Sequence, residues 1–305
     1  MIMTAVIIGA GIIGLSTAVE LQKTFPHLKV VIIAENISPE TTSDIAAGHL
    51  HPYLEGDTDP NLLKRWFCET FKYMQKICKE SEAVKYGVNC TSGFELSFDK
   101  QENLPYWHDI VRNFRRIPYT ELVEYGWPQF RDGFFFTTYT LEPSQYLAYL
   151  LEEFTARGGK LINRKLTSLD EIKNICKCDF DLIINATGLG SYFLFDDKKL
   201  FPFRGQIYRV KAPFQKYFIS SPNNYILLNN NQVILGGTRQ ANDYRLSIDE
   251  ADSRKIWDGC LKLVPSLKVI HCYGHGGSGI SLFYGCVEDV LDLCRGIFLK
   301  TTSKL

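Results

Sequence analysis

The stretch "TAVIIGAGIIGLSTAVELQ" near the start of the chain constrains the fold more than any other. Thr4 to Ile8 read as a buried strand, and Ile12 to about Lys23 read as a helix. Between them Gly9, Gly11 and Gly14 form G-x-G-x-x-G in the context that gives the pattern meaning, strand before and helix after. The first glycine makes the turn, the second lets the backbone approach a pyrophosphate, and the third lets the helix pack closely on the strand. Ala10, Ile12 and Ile13 complete this cradle. There the helix presents free N–H groups and its positive dipole end to phosphates. A second apolar strand, Lys29 to Ala34, ends in Glu35, 21 residues beyond Gly14. An acid at that place accepts hydrogen bonds from an adenosine ribose. The pattern predicts a dinucleotide site and leaves open which dinucleotide.

The residues that follow, "SPETTSDIAAGHLHPYL" (Ser38 to Leu54), are rich in small and hydroxyl side chains. Leu62, Leu63, Trp66, Phe67, Phe71 and Met74 recur near helical spacing, which predicts a helix over 61–83. Strand-like and loop pieces run from Gly93 to Tyr139, then a helix from Pro143 to Arg157 is stopped by Gly158 and Gly159. "KLINRKLTSL" and "CDFDLIINATGLG" read as two more strands of a Rossmann-type sheet. The second ends in Thr187-Gly188, where a parallel strand meets a ligand at its C-terminal edge. Residues 201–240 alternate as in an antiparallel sheet. The expected architecture is therefore α/β and interleaved. A discontinuous Rossmann-like cofactor domain (1–50, 144–192 and 269–300) alternates with an antiparallel-sheet substrate domain (51–143 and 193–268).

Composition excludes some partners. The 305 residues carry a formal net charge of +0 with no basic run, so there is no electrostatic footprint for nucleic acid or an anionic membrane. No apolar run approaches bilayer length. The apolar N-terminus lacks the basic region of a signal peptide and holds three glycines. Nine scattered cysteines, an odd number, fit reduced thiols inside a cell. Cys176 and Cys178 have the wrong spacing for a zinc knuckle, and His271 and His275 have no further ligands in sight, so no metal is expected. The terminal Ser303-Lys304-Leu305 is the tripeptide a peroxisomal import receptor reads, which places the protein in the peroxisomal matrix.

"IHCYGHGGSGISLF" packs Gly274, Gly276, Gly277 and Gly279 into six residues ahead of a helix-like run, Leu282 to Phe298. So many glycines suggest a ligand lying against bare backbone. Together with "VIIGAGIIGLSTA", "TTSDIAAG", "INATGLG", "RGQIYRVKAP", "VILGGTRQ" and the terminal SKL, this stretch resembles the D-amino-acid oxidases and D-aspartate oxidases over nearly the whole chain. Those are FAD enzymes of peroxisomes. The resemblance implies FAD in an extended pose, with Glu35 at the ribose and Thr41, Thr42 and Ser43 near the phosphates. It also implies Gly48 and Thr187 beside the cofactor, Leu166 at the adenine end, and Gly276, Gly277, Ser278, Gly279, Ile280 and Ser281 against the flavin ring. Backbone N–H groups of that loop would stabilise negative charge on the reduced ring. Tyr225, counted back without a gap from Gly236-Gly237, matches the family's active-site tyrosine. Arg239 matches the arginine that meets the side-chain carboxylate of an acidic substrate, and Gly277 belongs to the same reaction centre. His51 stands where members acting on neutral substrates carry glutamine. The implied reaction takes a D-amino acid and oxygen to a 2-oxo acid, ammonia and hydrogen peroxide.

One departure bears on activity. "LVPSLKVIHCYGHGG" passes directly from Lys268 to Val269, where the family carries a segment with an Arg-Pro-x-Arg-Pro-like strand. Its arginine holds the substrate α-carboxylate, a bidentate task that lysine does not reproduce. No arginine lies between Arg254 and Arg295 here. Arg239 and the wording "LGGTRQ" favour D-aspartate or D-glutamate, although no basic residue lies between Lys216 and Arg239, where the aspartate branch places a lid arginine. The alternatives are an oxidase of neutral D-amino acids and a flavin-binding form impaired by the lost clamp. A glycine- or sarcosine-oxidase-like enzyme would share the glycine fingerprint without "TTSDIAAG" and "YGHGG" together.

Overall fold

The computed structural model describes residues 3–53, 56–177, 179–267, 287–288 and 291. The chain divides into two compact units, Met1–Cys260 and Leu261–Leu305, and both large sheets belong to the first. In chain order the strands are β1 (Thr4–Ile8), β2 (Lys29–Ala34), β3 (Val88–Ser97), β4 (Arg112–Arg116), β5 (Asp132–Leu141), β6 (Lys160–Asn163) and β7 (Leu182–Asn185). Then come β8 (Phe203–Arg204), β9 (Tyr208–Val210), β10 (Phe218–Ser220), β11 (Tyr225–Leu228), β12 (Val233–Gly236) and β13 (Gln240–Ala241). The helices are α1 (Ile12–Thr24), α2 (Thr42–Ile45), α3 (Pro60–Ile77), α4 (Tyr119–Glu124), α5 (Pro143–Ala156), α6 (Glu171–Cys176), α7 (Ser191–Leu194) and α8 (Glu250–Leu263).

The first sheet is wholly parallel, in the order β6-β2-β1-β7. Its two central strands are buried on both faces, which is why they read as continuous apolar runs. Ile7 and Ile32 join the core formed with Leu15, Ala18 and Val19 of α1 and Leu147, Leu150 and Phe154 of α5. Val6, Ile8, Val31 and Ile33 point the other way, onto Ile172 and Cys176 of α6. α5 ends where expected, at a glycine pair. Gly158 takes a φ of +80°, and a Cβ on Gly159 would overlap the Phe154 ring.

Register aligns the strand ends. Ile8 lies beside Ile33 on one side and Asn185 on the other, and Ala34 lies beside Asn163. Gly9, Glu35, Arg164 and Ala186 therefore leave the sheet along one edge, the edge at which open α/β sheets bind ligands.

The second sheet has seven strands in the order β4-β5-β3-β10-β11-β12-β9. It is antiparallel at every pair except β3–β10, where Phe218 runs beside Gly93 in parallel. Alternation in 201–240 signals strands but not the partner that β10 finds more than a hundred residues upstream. Helix α3 is shorter than the predicted 61–83 and ends at Ile77. Ala83 is buried, but it lies in a series of turns that brings the chain through Gly87, at φ +73°, into β3.

The short pair β8–β13 is tied to α8 by a buried polar network. Arg204 Nη1 lies 2.8 Å from Asp252 Oδ2, and the same guanidinium donates to the Gln206 and Gln240 side chains. Gln240 Nε2 donates to Asp252 as well. Fully paired charges of this kind hold their neighbours in one arrangement, and the chain segment so fixed carries Arg239. Among the described residues no helix is long and apolar enough to cross a membrane, and no cluster of three or more His, Cys, Asp or Glu could hold a metal.

Candidate active site

The sheet edge assembles the first part of the site. Gly9 has a φ of +113°, and a Cβ there would overlap the carbonyl of Ala186, so the turn after β1 closes directly on the end of β7. A Cβ on Gly14 would overlap the Gly9 carbonyl. This is a cradle that side chains would fill. Ala10 is buried within it and Ile13 is exposed at the first turn of α1. Gly11 caps α1 without a side chain, and no acidic residue occupies that turn, as an anion site at a helix N-terminus requires.

The hydroxyl run reaches the same place. Ile12 N donates to Ser43 Oγ at 3.1 Å, across 31 residues of sequence. Thr41 and Asp44 form a reciprocal cap on α2, with Ser38 Oγ also donating to Asp44, and this fixes Thr42 and Ser43 beside α1. Glu35 follows β2, and its exposed carboxylate pairs with Lys165 Nζ at 2.8 Å. Leu166, the next residue, packs partly buried on the second core. Thr187 follows β7 with its hydroxyl 2.8 Å from both Asn185 Oδ1 and Ser191 Oγ. Ribose-side acid, hydroxyl run and phosphate turn thus lie at one edge, and these residues fit an extended dinucleotide such as FAD.

The second part is a cleft of about 750 Å³. Thr42 and Gly48 line it, and so do Tyr225 and Arg239, so the cofactor-side and substrate-side candidates share one cavity. Gly48 takes a φ of +68°, and a Cβ there would overlap the Leu141 carbonyl. Tyr225 pairs across the β11–β12 hairpin with Gly236. Its ring covers Gly236 and Gly237, where any side chain would collide with it. That explains the double glycine of "LGGTRQ". Asn224 Nδ2 donates to the Gly236 carbonyl and supports the same hairpin.

Burial and the nearby Tyr53 hydroxyl push the Tyr225 phenol up to about 12, against the pull of the Arg239 charge. Tyr225 therefore keeps its proton at any working pH and acts as a hydrogen-bond donor, not a base. The Arg239 guanidinium lies 5.5 Å from the Tyr53 ring centre and makes no ion pair or hydrogen bond among the described residues. A guanidinium without a counter-ion in a cleft is a receptor for carboxylate.

Four side chains lining the cleft were not assigned a role from sequence. His51 Nε2 lies 3.2 Å from Glu95 Oε2, and His49 and Trp107 complete this wall. Glu95 sits near the end of β3, and nothing local marks it. His49 has both ring nitrogens buried with no partner among the described residues, its ring 4.5 Å from that of Phe218. Desolvation, helped by the neighbouring His51, drives its pKa down to about 3, so it is neutral. The unfolded chain takes up that proton below about 6.5 while the fold does not, so stability falls as pH drops from there towards 3. His49→Leu is expected to flatten this loss, read as a smaller change in denaturation midpoint between about pH 7 and about pH 5. Equal shifts in variant and parent would show that His49 titrates freely.

Gly276 to Ser281, with Gly277 among them, lie outside the described residues, as do His271, His275, Cys178, the junction after Lys268 and Ser303–Leu305.

Comparison with known proteins adds to this geometry. The sequence pattern of the FAD dependent oxidoreductase family matches residues 4–278. The chain is 36% identical to the D-aspartate oxidase of Homo sapiens over 323 positions, covering 94% of this chain and 93% of that protein. It is 34% identical to a D-amino acid oxidase of Dugesia ryukyuensis over 331 positions, covering 96% and 98%. Both alignments are longer than the 305-residue chain, so each relative carries stretches that this chain lacks. Among solved structures, glycine oxidase from Geobacillus kaustophilus superposes with a TM-score of 0.66 over 87% of this chain and 78% of its own, at 14% identity. At that identity the likeness concerns the fold.

Proposed function

This chain belongs to the FAD dependent oxidoreductase family, and we propose that its substrates are acidic D-amino acids such as D-aspartate. It is an FAD-dependent enzyme of the D-amino-acid-oxidase type. The observation that carries the acidic preference is the Arg239 guanidinium, without an ion-pair partner among the described residues, in the same cleft as the protonated Tyr225.

FAD held at the turn after β1 would supply the redox chemistry, acceptance of a hydride equivalent from the substrate and its return to oxygen. The protein's own contribution is binding and orientation. Arg239 offers a fork of N–H donors to one carboxylate, and the Tyr225 hydroxyl donates a further hydrogen bond. Leu227, Ile207 and Phe134 give the cleft an apolar part of its lining. Gly9, Gly11, Gly14, Ser43, Glu35 and Thr187 would hold the dinucleotide. The imino acid formed would hydrolyse to the 2-oxo acid and ammonia, with hydrogen peroxide as the reduced oxygen product. Ser303-Lys304-Leu305 supports import into peroxisomes, a compartment suited to that product.

A second reading, flavin binding with impaired turnover, is favoured by one observation. Arg239 is the sole Arg or Lys among the described residues lining the cleft, whereas a dicarboxylate presents two anionic groups. Anaerobic mixing of the FAD-loaded protein with D-aspartate separates the two. We expect the visible flavin band to bleach with D-aspartate, and more slowly with D-alanine. Faster bleaching by D-alanine would overturn the acidic preference, and a band that bleaches with neither would establish the impaired form.

A further inference from the structure

We propose that the groove between α3 and the turn ahead of β4 is a second ligand site, one that takes a small molecule carrying two adjacent phosphates. It lies outside the substrate cleft, and it does not rest on the acidic-substrate reading.

Helical spacing builds one wall. Asn61, Lys64, Arg65, Cys68, Lys72 and Gln75 recur at intervals that place them on one face of α3. Phe71 of the same face is buried and forms the floor, its ring 5.0 Å from that of Tyr139. Asp109, Ile110 and Arg112 form the facing wall. Ile110 N donates to the Trp107 carbonyl at 3.0 Å, which closes the turn that carries Asp109. Just beyond it the β4–β5 register shifts between Arg112 and Arg115, with Asn113 at φ +53°. A bulge of this kind re-aims the side chains beside it, and Arg112 is thereby brought to the groove. The space enclosed is about 540 Å³, the size of a small-molecule site.

The lining is strongly one-signed. Lys64, Arg65, Lys72 and Arg112 face a single acid, Asp109. Lys64 pairs with Asp109 at 2.7 Å and Lys72 with Glu69 at 2.7 Å. Both pairs are exposed, so an anion can draw these ammoniums away at little cost. Arg65 and Arg112 make no ion pair or side-chain hydrogen bond among the described residues. The Arg112 charge acts instead on Cys78, Cys90 and Tyr139. Burial raises the pKa of all three, so none of them is an anion at neutral pH and none serves as a counter-ion. Like charges gathered in one groove repel one another, and a bound anion relieves that repulsion.

The donor set names the ligand chemistry. Each guanidinium is a planar fork that meets a phosphate at two points, so two unpaired forks match two phosphates. A lone carboxylate would leave one of them unmatched. Glu69 and Asp109 border the groove, and they would repel the extended backbone of a nucleic acid.

The test uses the FAD-loaded protein, in which the phosphate turn after β1 is already filled, with pyrophosphate as the probe in magnesium-free buffer. Calorimetry gives the Kd, and peptide mapping gives the rate at which iodoacetamide alkylates Cys68, a partly exposed thiol of the groove. We expect a Kd below about 1 mM and slower alkylation of Cys68 at saturation. Arg65→Ala and Arg112→Ala should each weaken binding about tenfold and remove the protection at the same concentration. Arg65→Lys should recover only part of the loss, because an ammonium lacks the fork. Flavin content reports whether each variant is folded, and Arg65→Ala, on an exposed helix position, carries the test alone if Arg112→Ala loses its flavin. An unchanged Kd in the folded variants overturns the proposal, and so does pyrophosphate that leaves Cys68 alkylation as fast as before. Sulfate binding as tightly as pyrophosphate would also overturn it, since that marks general attraction to surface charge. Bleaching of the flavin by D-aspartate, or its absence, decides the functional reading and leaves this result untouched.

Discussion

Replacing Arg239 by alanine is expected to lower kcat/KM for D-aspartate about 100-fold, because truncating one member of a desolvated charge pair costs roughly 2–5 kcal/mol. The substrate supplies the other member. Before it arrives the guanidinium has no counter-ion among the described residues, so little native structure depends on it. Fold stability should therefore change little, and the loss should fall on substrates with a second carboxylate. The ratio of kcat/KM for D-aspartate over D-alanine is the decisive quantity, and it should fall by more than about tenfold. Arg239→Lys should recover only part of it, since an ammonium cannot make the planar two-point contact. Equal ratios in variant and parent would remove Arg239 from substrate recognition.

What could be read from sequence followed how local each feature is. The turn after β1 was legible because its glycines answer steric demands set within a few residues, the Gly14–Gly9 approach above all. Tyr225 was implied only through the resemblance, by counting back from Gly236-Gly237; that the β11–β12 hairpin sets it opposite Gly236 shows in the structure. A place for Ser43 near the phosphates was implied only through the resemblance, and its hydrogen bond from Ile12 was not foreseen, since no periodicity links two residues 31 apart. The His51–Glu95 pair was not legible at all. Glu95 is an ordinary acid in a ten-residue strand, and it meets His51 through the tertiary packing of β3 and the segment after α2. The parallel β3–β10 pairing was hidden for the same reason. The end of α3 was misplaced because no glycine or proline stands between Ile77 and Gly87 to mark it, and the turns that lead into β3 are set by the tertiary fold.

Gly9→Val is expected to abolish stable flavin binding, leaving a colourless protein. Two costs coincide at this position. A positive φ of +113° lies in a region that L side chains avoid, and β-branched ones most of all. The new side chain would also overlap the Ala186 carbonyl, and that residue leads into Thr187 at the cofactor edge. Relief requires β1 and β7 to part at their ends, which would move the phosphate turn away from Thr187 and from Ser43. Gly11→Ala provides the graded comparison. Its Cβ would stand 3.1 Å from Ser43 Oγ, a contact that a small shift of one side chain relieves. That variant should keep flavin with reduced affinity. Added FAD raises the melting temperature of a protein that binds it, by an amount set by the ratio of ligand to Kd. The parent should show the full rise, Gly11→Ala a smaller one and Gly9→Val none. A Gly9→Val protein that carries stoichiometric FAD would show that the dinucleotide is held somewhere other than this turn.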